Sequence, residues 1–497
     1  MYITIKNHYT VIRVCTLLTR RKLMNLLKQI FKKEDIAKFQ NKDAHLERTL
    51  RIRDFLALGV GTIVSTAIFT LPGVVAADHT GPSVSLSFLV AAIVAALVAF
   101  VYAEMASVMP FAGSAYTWIS ILFGEFFGWI VGWALIAEYL IAVAFVASGF
   151  SANLRGLLEP FHISLPQSLS NSLGTDGGIV DLLAAIVVII TAVLLYRGTS
   201  EAARVQNALV ILKVLAIFLF IIVGLSVIDI GHYIPFIPEY RETAAGAFGG
   251  WQGIYAGSSV IFVAYIGFDS IASNSGEAIN PQKTMPLGIL GSLLIAVTLF
   301  IIVSLVLVGM FDYAQYKNNA EPVGWALRMS GHSTVAVIVQ AVSVIGMFTA
   351  LIGMMMAGSR LLYSFGRDGI LPSWLGKLDN KNLPNRALIV LSIVAIIIGS
   401  VFPFGFLAQL ISAGALVAFM FVTVGIFSLR KREGHDLPQP AFKLPFYPVM
   451  PVIIFICVFI VFWGLSGQAK IYTLIWFCVG IIYYVLYILK NLKNIKN

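Results

Sequence analysis

The chain has 497 residues, of which 59% are hydrophobic and only 12% are charged, and its mean hydropathy is +0.89. Soluble domains carry roughly 25% charged residues, so this composition excludes a soluble globular protein and indicates an integral membrane protein. The formal net charge of +10 comes from 34 Lys and Arg against 24 Asp and Glu, and the placement of the cations along the chain is informative.

Residues 1–50 form a basic segment that we expect to be cytoplasmic. Cations such as Lys32 and Lys33 shortly precede the first apolar run, where membrane orientation and contact with anionic lipid explain them better than nucleic-acid binding. Residues 1–23 lack an apolar core followed by small residues, so no cleavable signal peptide is predicted. Met24 is an alternative start of the chain.

Apolar runs of about 20 residues, the length that crosses roughly 30 Å of hydrocarbon, recur from Phe55 to the C-terminus. We therefore predict an all-α membrane protein with twelve transmembrane helices. Their approximate bounds are 55–77, 85–108, 124–150, 179–196, 206–228, 252–274, 287–311, 335–359, 387–403, 406–429, 449–466 and 471–489.

The cations orient these helices in the membrane. With both termini inside, the outer loops contain only Arg155, Arg241, Lys317, Arg328 and Lys470. Because the inner loops hold nearly all the others, the positive-inside rule predicts a multi-pass protein of the cell membrane with both termini cytoplasmic. Lys213 is the exception, since it lies within the fifth predicted span. A charge in hydrocarbon is costly, and an intramembrane lysine therefore marks a candidate functional site.

Two spans contain helix-weakening residues in their middles, the first between Gly59 and Phe69 and the sixth around Gly267. Because the two spans are five apart, helices 1–5 and 6–10 would have opposite orientations, which is typical of inverted-repeat transporters with a site at the broken helices. This predicts a transport core over 51–430, accessory helices over 431–489 and a cytoplasmic tail over 490–497. The alternative is that the glycines only allow helices to pack closely.

Motifs along most of the chain agree with one known family. They are Tyr102-Ala-Glu104, Gly113-Ser114-Ala115-Tyr116, Gly132-Trp-Ala-Leu-Ile-Ala-Glu138-Tyr139, Phe262-Val-Ala-Tyr265-Ile-Gly267-Phe268-Asp269, Ser359-Arg360 and Pro440-Ala-Phe442-Lys-Leu-Pro445. In this order they resemble the amino acid-polyamine-organocation family, and within it the cationic amino acid transporter-like branch, over about residues 50–465. The resemblance implies a LeuT-like five-plus-five inverted repeat with broken helices 1 and 6, and secondary transport of amino acids.

The resemblance also implies a substrate site at the two broken helices. Its residues are Ser65, Thr66, Ala67, Ile68, Phe262, Val263, Tyr265, Ile266 and Gly267. Unpaired N–H groups at a positive helix end can bind a carboxylate. Carbonyl groups freed at the second break can accept hydrogen bonds from an α-ammonium group.

The chain departs from the family pattern in two places. Ser65-Thr66-Ala67 stands where relatives commonly have Gly-Thr-Gly or Gly-Ser-Gly, and the added side chains restrict the backbone beside the ligand. Val263 stands where relatives often carry a second Phe, so an aromatic gate would be weakened or would move to Phe262 or Tyr265. Small neutral amino acids fit the added bulk better than cationic ones.

Three charged positions are candidates for proton coupling. Lys213 matches the fifth-helix lysine of proton-coupled members, whose implied role is to occupy the place that sodium takes in sodium-coupled relatives. The alternatives are a fixed cation and a lysine that reaches toward the membrane surface. Glu138 and Asp269 would form a proton relay or contact Lys213, and Asp269 would alternatively cap the second half of helix 6. Glu104 is expected to be structural.

Other classes of function fit the sequence less well. A channel would need polar rings along several spans. An enzyme would need clustered nucleophiles, bases or metal ligands, but all seven His residues fall outside span centres and the three Cys residues show no ligand spacing. We therefore expect no enzyme, metal or cofactor; the partners are an amino acid, a proton and membrane lipid. The remaining alternatives are an amino acid exchanger with Lys213 as a fixed charge and a receptor that does not transport.

Overall fold

The computed structural model describes residues 33, 36, 48–111, 113–163, 165–173, 177–197, 202–319, 321–367, 369–380 and 383–494. For 202–208 and 488–494 it describes the backbone alone. Most of the basic segment 1–50, including Met24, lies outside these residues, as do the last three residues of the chain.

The described residues are mostly helical. The α-helices in chain order are α1 Ile52–Ile63, α2 Thr66–Val75, α3 Val84–Val108, α4 Ser114–Leu122, α5 Glu125–Leu158, α6 Leu182–Arg197, α7 Ala202–Leu225, α8 Gly250–Ile261, α9 Phe268–Ser273, α10 Pro281–Met310, α11 Pro322–Met329, α12 Ser333–Arg367, α13 Asn385–Val401, α14 Phe404–Arg432, α15 Val449–Trp463 and α16 Gly467–Asn494. Two short antiparallel strands, β1 Arg241–Thr243 and β2 Gly246–Phe248, form a hairpin before α8.

Within the part of the chain that the structure describes, seven helical segments are long and apolar enough to cross a membrane. They are Thr66–Val108, Glu125–Phe161, Gly250–Ser273, Pro281–Met310, Ser333–Arg367, Phe404–Arg432 and Gly467–Tyr487. Shorter apolar helices cover Leu182–Arg197, Leu209–Leu225, Asn385–Val401 and Val449–Trp463. The chain is thus a helical membrane protein, in agreement with its composition.

The first and sixth predicted spans, which contain helix-weakening residues, are both interrupted in the structure. α1 ends at Ile63 and α2 begins at Thr66, with Ser65 outside helical geometry. α8 ends at Ile261 and passes through a 3-10 turn over Phe262–Tyr265 before α9. Gly267, the last residue of this second break, has a φ of 130°, which glycine adopts without the steric cost of a side chain.

α5 lies at the centre of the bundle, where it packs against α4, α6, α12, α13 and α14. The helix of the predicted span 124–150 continues to Leu158, since no proline interrupts it between residue 124 and Pro160. α3 and α1 both pack against α10, which places the first break beside this second group of helices.

Backbone contacts hold the two broken helices together. Leu50, just before α1, donates its N–H to the carbonyl oxygen of Glu277 at 3.0 Å and accepts from the N–H of Ile279 at 3.1 Å. These bonds join the start of α1 to the segment that follows α9. The short helix α11 packs on α2, where Pro322 lies against Gly73.

Candidate functional site

The first break leaves polar groups without helical partners. The N–H of Ser65 donates to the carbonyl oxygen of Ile63 at 3.0 Å, so the α-helical ladder is not continued. The first turn of α2 contains Thr66, Ala67 and Ile68. N–H groups in the first turn of a helix have no carbonyl oxygen of their own helix to bond to. Thr66 is fully buried, and its hydroxyl has no hydrogen-bond partner among the described residues.

The second break lies directly against the first. A Cβ placed on Gly267 would lie 3.4 Å from the backbone nitrogen of Ile63, and the hydroxyl of Thr62 lies 3.4 Å from the carbonyl oxygen of Gly267. The predicted residues of the first and sixth spans are therefore brought together. Ile266 at this junction is extended, with a φ of −65° and a ψ of 135°.

Aromatic rings close one side of this junction. Phe262 is fully buried and packs edge to face on Phe419 of α14, with ring centroids 6.1 Å apart. Tyr265 is also buried, and its hydroxyl donates to the carbonyl oxygen of Phe88 at 2.9 Å. The ring of Tyr265 packs edge to face on those of Phe88 and Phe300, with ring centroids 6.5 Å and 5.6 Å apart. Val263 lies on the same turn and is also buried.

Lys213 reaches the first break from α7. Its side chain is 3% exposed, while the preceding Ile211 and Leu212 face outward from the bundle. The ammonium group donates to the carbonyl oxygens of Gly61 at 2.9 Å and Val64 at 3.3 Å. These carbonyl groups are accessible because the helix stops beside them.

The expected alternative contact of Lys213 with a carboxylate is wrong. Among the described residues, no Asp or Glu lies within ion-pair distance of its ammonium group. Glu138 and Asp269 instead lie beside each other. The break supplies carbonyl oxygens at the ammonium, so no carboxylate is needed to satisfy it.

Glu138 of α5 and Asp269 of α9 form a buried carboxyl pair. Their side chains are 3% and 4% exposed, and the two carboxyl groups lie close enough to repel each other when both are charged. Asp269 also accepts from the N–H of Gly267 at 3.0 Å, so it caps the second break as well. The buried hydroxyl of Tyr102 has no partner among the described residues.

Glu104 has the structural role expected of it. Its carboxylate accepts from Arg430 at 3.1 Å and from the N–H of Leu444 at 2.6 Å. It therefore joins the end of α3 to the end of α14 and to the loop that follows α14.

Two glycines near the site were not identified from the sequence. A Cβ on Gly149 of α5 would lie 2.0 Å from the methyl group of Thr66, and a Cβ on Gly346 of α12 would lie 2.5 Å from Cδ of Lys213. Glycine is frequent in membrane helices, so neither position is distinguished by residue type alone. Within the described residues, no group of three or more His, Cys, Asp or Glu is arranged to hold a metal ion.

Comparison with known proteins gives a family and several relatives. The family model described as amino acid permease matches residues 52–487. The chain is 60% identical to the branched-chain amino acid permease BcaP of Lactococcus lactis subsp. cremoris, over 91% of this chain and 97% of that protein. It is 36% identical to the methylthioribose transporter of Bacillus subtilis, over 90% and 95% of the two chains. It is also 35% identical to the vacuolar cationic amino acid transporter 2 of Arabidopsis thaliana, over 82% and 64%.

Proposed function

The chain belongs to the amino acid permease family, and on that premise we propose that it takes up amino acids across the cell membrane by proton-coupled alternating access. One observation carries the proposal. Two interrupted helices meet at Ile63 and Gly267, and beside this contact lies the buried, unpartnered hydroxyl of Thr66. A junction of two half-helices can bind both charged groups of an amino acid.

The proposed architecture has twelve spans in a five-plus-five inverted repeat. The repeat covers residues 51–430, and residues 431–489 add two accessory helices. Interruptions five spans apart support this arrangement. The predicted outer loops contain few Lys or Arg residues, which supports cytoplasmic termini, including the basic segment 1–50.

In the proposed site, the substrate carboxylate binds at the start of α2. The N–H groups of Thr66 and Ala67 and the Thr66 hydroxyl would donate to it, since anions favour helix N-termini. The α-ammonium would bond to carbonyl oxygens of the second break between Tyr265 and Gly267.

We propose branched-chain aliphatic amino acids as the substrates. The relative from Lactococcus lactis is named as a branched-chain permease and is 60% identical over nearly its whole length. Ile68, Phe262 and Val263 at the two breaks are apolar and buried. Glu138 and Asp269 are 3% and 4% exposed, and Asp269 already accepts a hydrogen bond from the N–H of Gly267. This substrate is larger than the small neutral amino acids that the sequence favoured.

Proton coupling is assigned to Lys213, Glu138 and Asp269. Lys213 bonds to carbonyl oxygens of the first break, while Asp269 bonds to the N–H of Gly267 at the second break and lies beside the buried Glu138. A second candidate is an exchanger in which Lys213 is a fixed cation. It is supported by the absence of any ion-pair partner for Lys213 among the described residues, since a titrating lysine is often adjusted by a neighbouring carboxylate.

A competition screen of the twenty amino acids in proteoliposomes tests this function. With the outside of the vesicles more acidic than the inside, leucine, isoleucine and valine are expected to accumulate and to compete with one another. Accumulation that requires an amino acid on the opposite side of the membrane and does not depend on the pH gradient would support the exchanger. Binding without uptake of any amino acid would contradict transport and leave a receptor.

A further inference from the structure

Gly346 lies in the middle of α12, against the aliphatic stem of Lys213. A Cβ at this position would lie 2.5 Å from Cδ, 2.9 Å from Cγ and 3.4 Å from Cε of the lysine. Carbon atoms in favourable contact lie about 3.5–4.0 Å apart. The stem of Lys213 therefore occupies the space that a side chain at position 346 would fill.

The lysine cannot easily give up this space, because both of its ends are fixed. Its Cα belongs to α7, which packs along α12, and its ammonium bonds to Gly61 and Val64. A stem held at both ends has little freedom to swing away from a new methyl group.

The contact at Gly346 differs from ordinary close packing of helices. At Gly61, a Cβ would meet the side chain of Val210, which is an apolar contact between two helices. At Gly346, the three nearest atoms all belong to Lys213. The carbonyl oxygen of Gly346 already accepts from the hydroxyl of Thr349 at 2.8 Å, so the contribution of Gly346 is the absence of a side chain.

We propose that Gly346 is a positioning residue of the coupling site, which leaves a groove on α12 for the stem of Lys213 and so allows the ammonium to reach Gly61 and Val64. The effect on transport rests on the coupling role proposed for Lys213. The geometric claim does not, and the two can be tested separately.

Gly346→Ala is the direct test. In proteoliposomes under a pH gradient, its maximal uptake rate is expected to fall about tenfold, while KM changes less than about threefold. A lower maximal rate with a nearly unchanged KM indicates that a step after substrate binding is impaired. The midpoint of its uptake-against-pH profile should differ from wild type. Gly353→Ala is the matched control, since it lies on the same helix and no atom is within 4 Å of its added Cβ.

A double substitution separates positioning from helix packing. Removing the stem with Lys213→Ala empties the space, so Gly346→Ala should then cost no further thermal stability in detergent. If Gly346→Ala alone fails to fold, Gly346→Ala combined with Lys213→Ala is expected to recover the stability of Lys213→Ala. Equal losses in both backgrounds would overturn the proposal, as would a Gly346→Ala protein that matches Gly353→Ala. Normal proton-driven uptake by Lys213→Ala alone would instead refute the coupling role.

Discussion

The ammonium group of Lys213 lies 2.9 Å from the carbonyl oxygen of Gly61, a residue 152 positions earlier in the chain. Gly61 belongs to the last turn of α1, where the helix stops and its carbonyl groups lose their usual donors. A buried cation is thus bonded to the interrupted backbone and not to an acidic side chain. This arrangement leads to the first prediction.

Lys213→Ala should abolish uptake driven by a pH gradient while substrate binding remains. The substitution removes the cation that bonds to Gly61 and Val64, but it leaves the N–H groups at the start of α2 in place. Uptake of labelled leucine in proteoliposomes, with and without a pH gradient, and leucine binding in detergent are the measurements. Lys213→Met separates the charge from the stem, since it keeps an unbranched chain in the groove.

Lys470→Ala is the control for Lys213→Ala. Lys470 also donates to a helix carbonyl, that of Trp463 at 2.9 Å, but it lies away from the broken helices. It should transport like the wild type. Proton-driven uptake by Lys213→Ala equal to that of the control at every pH would refute the role of Lys213.

Thr66→Val should weaken substrate binding without destabilising the protein. The buried hydroxyl of Thr66 has no partner among the described residues, so its removal lifts a desolvation cost of about 1–3 kcal/mol. If the hydroxyl donates to the substrate carboxylate, KM should rise about tenfold, which corresponds to 1.4 kcal/mol. Thr66→Ser keeps the hydroxyl and should retain the wild-type KM. A Thr66→Val protein with unchanged KM would remove this hydroxyl from the site.

Asp269→Asn distinguishes a proton relay from a simple cap of the second break. Asparagine can still accept from the N–H of Gly267, but it cannot exchange a proton with Glu138. We expect proton-driven uptake to fall about a hundredfold, the lower end of the effects of losing a proton-transferring group, while folding is retained. Glu138→Gln should behave in the same way. Uptake within about twofold of wild type in both variants would leave capping as the only role of Asp269.

The stability of the protein should fall as pH rises, because of Glu321 at the start of α11. Burial raises the pKa of Glu321 to about 7, in spite of its contacts with Arg328 and Gln340. The folded state therefore holds a proton that the unfolded state releases, so stability is highest below about pH 4.5 and declines until about pH 7. The decline is at most roughly 3–4 kcal/mol, since each pKa unit corresponds to about 1.4 kcal/mol.

Glu321→Gln should remove most of this dependence and should unfold at a higher temperature than wild type at pH 8. Thermal unfolding in detergent between pH 5 and pH 8 measures it, with the exposed Glu239→Gln as control. A slope that is the same in all three proteins would assign the pH dependence to other groups.

Much of the fold and part of the site could be predicted from local sequence. The apolar runs predicted where helices lie, and the weak centres at Ser65–Ala67 and Gly267 predicted where two of them are interrupted. Helix ends could not be predicted in the same way, as at Leu158, because hydropathy marks the membrane and not the end of the hydrogen-bonded ladder. The family resemblance read from the motifs is confirmed by the match over residues 52–487.

The sequence by itself determined that the chain is a helical membrane protein with a cation in the fifth predicted span, because hydropathy and charge are properties of each segment. Only the tertiary structure decided what that cation contacts. Every residue has a carbonyl oxygen, so nothing in the sequence marks Gly61 and Val64 as its acceptors. The pairing of Glu138 with Asp269 and the space left at Gly346 likewise depend on helices distant in sequence that pack side by side.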